Sequence, residues 1–171
     1  MTSFENNEKT WQRFDYSILQ NSPIALYWNV DIWQRHINWF SQNGYKIILL
    51  DAARWTTEKE FHEDVQENLE FPGYYGMNLN AFNDCLSDLE FPDHRGLVIA
   101  IKSYELFQRA HLHTAQTILD IFADSSWYHL LYGNRLVVLV QTNQADVTFA
   151  PVGARPVMWN PDEWLNSKRG L

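Results

Sequence analysis

The sequence has a single cysteine, Cys85, and fewer basic than acidic residues. One thiol cannot form an intramolecular disulfide, nor can it supply a metal site built mainly from thiolates. The 171 residues include 13 Lys and Arg against 21 Asp and Glu, which gives a formal net charge of −8. This balance argues against direct nucleic-acid binding, because clustered cations must meet the phosphate backbone. An acidic chain attracts basic partners instead, although the same charge also keeps a protein in solution.

Long apolar runs and known catalytic motifs are absent as well. No apolar run approaches the ~20 residues that a membrane span needs, and the polar residues 1–10 differ from a secretory signal. The chain has no HExxH zinc motif, no GxSxG nucleophile motif and no phosphate-binding glycine loop. We therefore expect a cytoplasmic protein that is not an enzyme, has no cofactor and no metal, and contacts neither membranes nor nucleic acid directly.

The apolar pattern alternates between strands and helices along the chain. Apolar runs predict strands at 24–28, 47–50, 97–101 and 136–140, with a further strand near 147–149. Apolar periodicity and capping residues predict helices at about 29–43, 57–69, 78–89 and 104–132, the last broken near His113–Thr114, and a short helix at 162–165. Strands that alternate with helices imply crossover connections, hence an α/β fold with a mainly parallel sheet.

The helix predicted at 78–89 has an unusual polar face. Its apolar arc would hold Leu79, Phe82, Cys85, Leu86 and Leu89, and the opposite arc Asn80, Asn83, Asp84, Ser87 and Asp88. Short polar residues are poor helix formers, and an ordinary solvated face mixes longer charges of both signs. Carboxylate and amide groups suit arginine and lysine donors, so this arc is a candidate binding face. The alternative is a solvated face of poor helix propensity.

This helix and the loop before it resemble one known family. The resemblance rests on residues at fixed spacing, namely Tyr74, Tyr75, Gly76, Asn78, Leu79, Ala81, Asp84, Cys85 and Leu86. In this register the chain resembles the barstar-like ribonuclease inhibitors. The resemblance implies a single barstar-like domain over residues 1–171, with its core at about 45–142. An added N-terminal strand-helix unit would occupy residues 1–44, and a C-terminal extension residues 143–171.

The resemblance also implies how the protein acts. In this family the exposed helix face enters the active site of a nuclease, where its carboxylates take the place of substrate phosphates. Tyr74 and Gly76 would then be loop contacts, Asp84 the central acidic contact, and Asp124 a second acidic contact from a later helix. Asn80, Asn83, Ser87 and Asp88 complete the predicted partner-binding set. The expected partner is a protein toxin, first of all a basic ribonuclease.

Several positions of the binding face depart from the family pattern. Asn80 stands where an acidic residue is typical, Asn83 and Leu89 replace aromatic residues, and Asp88 replaces a small one. The core pattern is intact, so the resemblance bears on the fold more directly than on the partner. Two other functions stay open: a non-inhibitory protein-interaction module on the same fold, and a hydrolase that pairs Asp84 with Asp124.

Other candidates for chemistry have plainer explanations. His111 and His113 are two residues apart, so they point to different sides of a helix and cannot share a metal. Cys85 has no basic neighbour in sequence that would lower the pKa of its thiol, which favours a buried structural cysteine over a nucleophile. Four tryptophans of the N-terminal half are predicted to be core residues, with an exposed contact surface as the alternative: Trp28, Trp33, Trp39 and Trp55.

Overall fold

The computed structural model describes residues 4–91, 95–165 and 167–169. Its strands are β1 (Ile24–Tyr27), β2 (Tyr45–Asp51), β3 (Gly96–Lys102), β4 (Leu136–Gln141) and β5 (Met158–Trp159). Its α-helices are α1 (Glu8–Trp11), α2 (Phe14–Asn21), α3 (Val30–Gln42), α4 (Glu58–Asn68), α5 (Leu79–Ser87), α6 (Tyr104–Ala110) and α7 (Leu112–Leu131). Short 3-10 turns lie at Ala52–Arg54 and Ser167–Arg169.

The strands form one sheet in the order β2-β3-β4-β1-β5, and every neighbouring pair is parallel. The predicted α/β fold with a mainly parallel sheet is therefore confirmed. Helical crossovers supply the connections that parallel strands need. β2 occupies one edge of the sheet, beside the loop that leads into α5.

Helices cover both faces of the sheet, and the strands alternate their side chains between the two layers. On β4, Leu136, Val138 and Val140 pack with α4, α5, α6 and α7, whereas Val137 and Leu139 pack with α2 and α3. Both sets are fully buried, which explains why these strands read as continuous apolar runs. The larger of the two cores lies under α5 and holds this helix against the sheet.

Residues 1–44 contribute an inner strand of the sheet. β1 pairs with β4 from Ile24↔Val138 to Tyr27↔Gln141, and its other side pairs with β5. The strand and the helix α3 were predicted, and the Asn29 side chain accepts the amides of Asp31 and Ile32 at the start of α3. The helices α1 and α2 were not predicted, because only Ile18 and Leu19 of α2 provide buried apolar residues.

Most of the predicted helices are present, with small shifts at their ends. The helix predicted at 57–69 is α4, and it begins with a capping box between Thr57 and Glu60. The long helical segment is broken at His111, between α6 and α7, two residues before the predicted break. Within the described ranges, no helix has both the length and the apolarity to cross a membrane.

Two predictions for the C-terminal segment are wrong. Residues 147–149 form no strand, because side chains of α6 and α7 take up backbone hydrogen bonds of this segment. Gln108 donates to the Thr148 carbonyl (3.2 Å), and the Gln116 side chain hydrogen-bonds both the amide and the carbonyl of Ala150. The last strand is β5 instead. Residues 162–165 form turns rather than a helix; the Glu163 and Trp164 amides both donate to the Asn160 carbonyl and close a single turn.

Candidate partner-binding site

Buried side chains and a hydrogen bond from α7 hold the helix α5 firmly against the larger core. Phe82 and Leu86 are fully buried in the larger core, and the rings of Phe82 and Phe122 of α7 meet edge to face with centroids 5.2 Å apart. At the C-terminal end, Nε2 of His129 donates to the Leu86 carbonyl at 2.7 Å. Burial lowers the pKa of His129, and the bond to Leu86 opposes this shift only in part. The helix thus offers its polar face on a rigid base.

The N-terminal end of α5 is fixed by Asn78. Its side-chain oxygen accepts the Ala81 amide at 3.0 Å, and its nitrogen donates to the Gly76 carbonyl at 2.9 Å. A Cβ atom at Gly76 would lie 3.0 Å from that nitrogen and 3.3 Å from Cβ of Ala81. A side chain at Gly76 would therefore press on the cap, so this glycine joins the loop closely to the helix.

The polar face of α5 carries the carboxylates of Asp84 and Asp88. Asn80, Asn83, Asp84 and Asp88 are exposed, whereas Ser87 is half-buried and donates its hydroxyl to the Asn83 carbonyl at 3.0 Å. In the part of the chain that the structure describes, no ion pair involves Asp84 or Asp88. The face can therefore accept cations from another molecule.

The two tyrosines of the preceding loop have opposite environments. Tyr75 is buried, its hydroxyl lies 2.5 Å from Nδ1 of His62, and burial raises its pKa. Tyr74 is 87% exposed and stands at the surface beside α5. Tyr75 therefore anchors the loop, and Tyr74 is free to contact a partner.

A cleft of about 450 Å³ opens beside this face. Tyr74, Asp84 and Asp88 border it, together with residues of β2 and the segment after α5. These three predicted residues thus lie around one feature, whereas Asn80, Asn83 and Ser87 are not among the residues that line it. The cleft was not predicted, because β2 and α5 are far apart in sequence.

Comparison with known proteins fits this geometry. The family model described as barstar (barnase inhibitor) matches residues 45–141, more than half of the chain. The chain belongs to the barstar family. A protein of Bacillus subtilis (strain 168), named "Putative ribonuclease inhibitor YrdF", is 28% identical over 79 residues, which cover 46% of this chain and 82% of that protein.

The barstar match covers β2, β3 and β4 with the helices between them. It includes α5, the loop with Tyr74 and the cleft beside Asp84. β1, α3 and β5 lie outside it, although β1 and β5 belong to the same sheet. The candidate site of this barstar-family protein therefore lies wholly within the matched region.

Asp124 lies on α7, the helix that packs against α5. It is exposed, and burial together with the charge of Asp120 raises its pKa. In the described residues it forms no ion pair and no hydrogen bond with Asp84. Its role as a second acidic contact stays a prediction, and the described residues show no contact that pairs the two carboxylates for hydrolysis.

The single cysteine differs from the prediction in its burial. Cys85 is half-buried on the flank of α5 and contributes to the wall of the cleft, so the prediction of a buried residue is wrong. Burial and the nearby charges of Asp88 and Asp84 raise the pKa of its thiol. A raised pKa disfavours the thiolate, which agrees with a structural rather than a nucleophilic cysteine.

The remaining candidate residues contribute to structure. Trp33 and Trp55 are buried, as predicted, whereas Trp28 and Trp39 are only half-buried. His111 hydrogen-bonds the Thr56 carbonyl, and His113 is exposed. Among the described residues, no group of three His, Cys, Asp or Glu side chains is placed to hold a metal ion.

Proposed function

We propose that this barstar-family protein is an immunity protein, or antitoxin, that inhibits a ribonuclease toxin by placing α5 in its active site. The observation that carries the proposal is Asp84, an exposed carboxylate on a firmly anchored helix, to which the described residues offer no cationic partner. A ribonuclease active site gathers cations to bind phosphate, so it offers the charge that this face lacks. Tyr74 and Gly76 would contact the enzyme from the loop.

The rest of the predicted face would surround this central contact. Asn80, Asn83, Ser87 and Asp88 offer short polar groups that lose little conformational entropy when they are fixed in an interface. Asp124 would add a carboxylate from α7. Since Asn80 and Asn83 replace the charged and aromatic residues typical of the family, we propose that they adapt the face to a particular toxin.

The overall charge of −8 fits a basic partner and would speed its encounter with the inhibitor. We propose the bacterial cytoplasm as the compartment, because the single cysteine leaves the chain without an intramolecular disulfide. In this role the protein performs no chemistry of its own and needs no cofactor.

The test measures RNA cleavage by barnase, and by the product of the gene adjacent to that of this chain, at increasing inhibitor concentrations. We expect stoichiometric inhibition of at least one enzyme, and its loss with Asp84→Ala. A growth assay with the neighbouring gene should show rescue by the wild type and none by the variant. Circular dichroism would establish that the variant is folded.

Three outcomes would contradict the proposal. Binding without inhibition would favour a non-inhibitory interaction module. Inhibition that Asp84→Ala leaves unchanged would place the interface elsewhere on the chain. Cleavage of RNA by the protein alone would indicate an enzyme.

A further inference from the structure

The cleft beside Asp84 has an apolar floor. It lies between the edge strand β2, the loop that follows α4 and the C-terminal end of α5. Ile48 of β2, Leu69 and Leu97 of β3 are each less than one-tenth exposed at its base, and Leu89 and Phe91 are half-buried there. The volume of about 450 Å³ is within the range of sites that bind ligands.

The rim of the cleft is acidic. Carboxylates of four described residues line it, those of Glu70, Asp84, Asp88 and Glu90. Among the described residues of the lining the one cation is Lys46, and its ammonium is 3.4 Å from the Glu70 carboxylate. The charge of Lys46 is thus matched by Glu70. In the described part of the lining, the carboxylates of Asp84, Asp88 and Glu90 remain along the side of the cleft nearest α5.

An apolar floor beneath an acidic rim suits one type of side chain. A long aliphatic stem can cover the floor while its cationic head meets the carboxylates. An aliphatic or aromatic side chain would remove the carboxylates from water without pairing them, and an acidic one would be repelled. Arginine fits better than lysine, because its planar guanidinium binds a carboxylate through two hydrogen bonds and can stack on the exposed ring of Tyr74.

We propose that this cleft receives an arginine side chain of the partner. The inference rests on the proposed function and extends it. The inhibitor inserts α5 into the ribonuclease, and the ribonuclease inserts an arginine into the inhibitor. Asp84 stands on the border of both contacts, and the basic character of the expected partner supplies the arginine.

The cleft can be tested without any ribonuclease. Nuclear magnetic resonance would follow the backbone amides during titration with Nα-acetyl-arginine amide, and with the uncharged citrulline analogue as the matched probe. We expect saturable shifts at Ile48, Leu89 and Leu97 with the arginine probe and none with citrulline. Scattered shifts over the acidic surface, or equal shifts with both probes, would overturn the proposal.

A substitution that fills the cleft provides a second test of arginine binding. Leu89→Trp should weaken binding of the arginine probe at least about tenfold. Leu112→Trp is the matched control, because Leu112 is exposed at the start of α7, away from the cleft. If Leu89→Trp does not fold, Glu90→Gln should weaken binding and Glu67→Gln, on the exposed face of α4, should not. Unchanged binding in the cleft variant would contradict the proposal.

The complex with an inhibited ribonuclease separates this proposal from the proposed function. We expect Leu89→Trp to weaken inhibition, and iodoacetamide to alkylate Cys85 at least about tenfold more slowly in the complex than in the free protein. Suppose that Asp84→Ala abolishes inhibition, that Leu89→Trp inhibits as well as the wild type, and that Cys85 is alkylated equally fast in the complex and in the free protein. The proposed function would then stand, and the cleft proposal would be wrong. If no ribonuclease is inhibited but the arginine probe binds, the cleft is an arginine site and the proposed function is wrong.

Discussion

The most deeply buried carboxylate of the N-terminal helices is Asp15, which has no exposed surface. Nε of Arg13 donates to it at 2.9 Å, the Tyr45 hydroxyl also donates to it, and Nη1 of Arg135 lies 3.6 Å away. Burial by itself would raise the pKa of Asp15, but the bonds from Arg13 and Tyr45 and the charges of Arg13 and Arg135 lower it. This carboxylate therefore ties α2 to β2 and to the start of β4.

We predict that Asp15→Asn lowers the free energy of unfolding by about 3 kcal/mol near neutral pH, since breaking a buried ion pair leaves cations unpaired. Because the folded-state pKa is lowered, this stability is present above the unfolded pKa of ~3.9 and is lost as pH falls through the folded value. Urea unfolding from neutral to acidic pH would measure it. The difference between wild type and variant should shrink in acid; the exposed control Asp146→Asn should match the wild type throughout.

The acidic residues of α5 should differ in their effect on ribonuclease affinity. Asp84→Ala should cost about 2–5 kcal/mol, because it leaves active-site cations buried and unpaired; this range comes from charge pairs of the barnase–barstar complex, a relative of the complex proposed here. Asp88→Ala should cost about 1 kcal/mol or less, as a charge at the rim mainly affects the association rate. Titration calorimetry would measure both. Small and equal losses would show that Asp84 is not the central contact.

At the scale of elements, the C-terminal segment is fastened to the turn between β1 and α3. The buried carboxylate of Glu163 accepts the amides of Trp28 (3.1 Å) and Asn29 (2.8 Å), and the side chain of Asn160 donates to the same carboxylate at 2.6 Å. Backbone amides at this turn have no partner in a strand or a helix, so the distant glutamate satisfies them. The connection explains why β5 pairs beside β1.

We predict that Glu163→Ala loosens this attachment and lowers the free energy of unfolding by about 2 kcal/mol, a typical loss for hydrogen bonds to a charged group. Hydrogen exchange should accelerate at the Trp28 and Asn29 amides and change little in β3. The matched control is Glu67→Ala on the exposed face of α4. Unchanged protection at the turn would show that β5 holds the segment without Glu163.

At the scale of the molecule, the region matched by the barstar family is only part of the sheet. That region ends at β4, whose far side pairs with β1 along Ile24–Tyr27. Residues 1–44 also supply α2 and α3, which cover one sheet face with Ile18, Trp33, Ile37 and Phe40. We propose that the barstar-like core and its two extensions fold as one unit.

We therefore predict that a fragment of residues 45–142 does not fold to a stable monomer. Without β1 the edge of β4 would be unpaired, and without α3 an apolar sheet face would meet water. Circular dichroism and size-exclusion chromatography of the fragment and the full chain would test this. A folded monomeric fragment that still inhibits a ribonuclease would show that the extensions are independent of the core.

Local patterns in the sequence were sufficient for the strands β1 to β4, for most helices and for the candidate face. The capping box of α4, the cap of α3 and the two arcs of α5 depend on residues within one or two turns, so their spacing determined the structure. The C-terminal strand was misplaced because Gln108 and Gln116, distant in sequence, satisfy the backbone of residues 148–150. Contacts of that kind leave no periodic pattern.

The sequence by itself determined the fold class, the barstar-like helix and the residues of its polar face, because each depends on periodicity or on short, fixed spacing. Only the tertiary structure decided that β1 lies between β4 and β5, that Tyr74 is exposed and Tyr75 buried, and that a cleft opens beside Asp84. These features arise where segments far apart in the chain meet. Their geometry depends on how the whole chain packs, which no local pattern encodes.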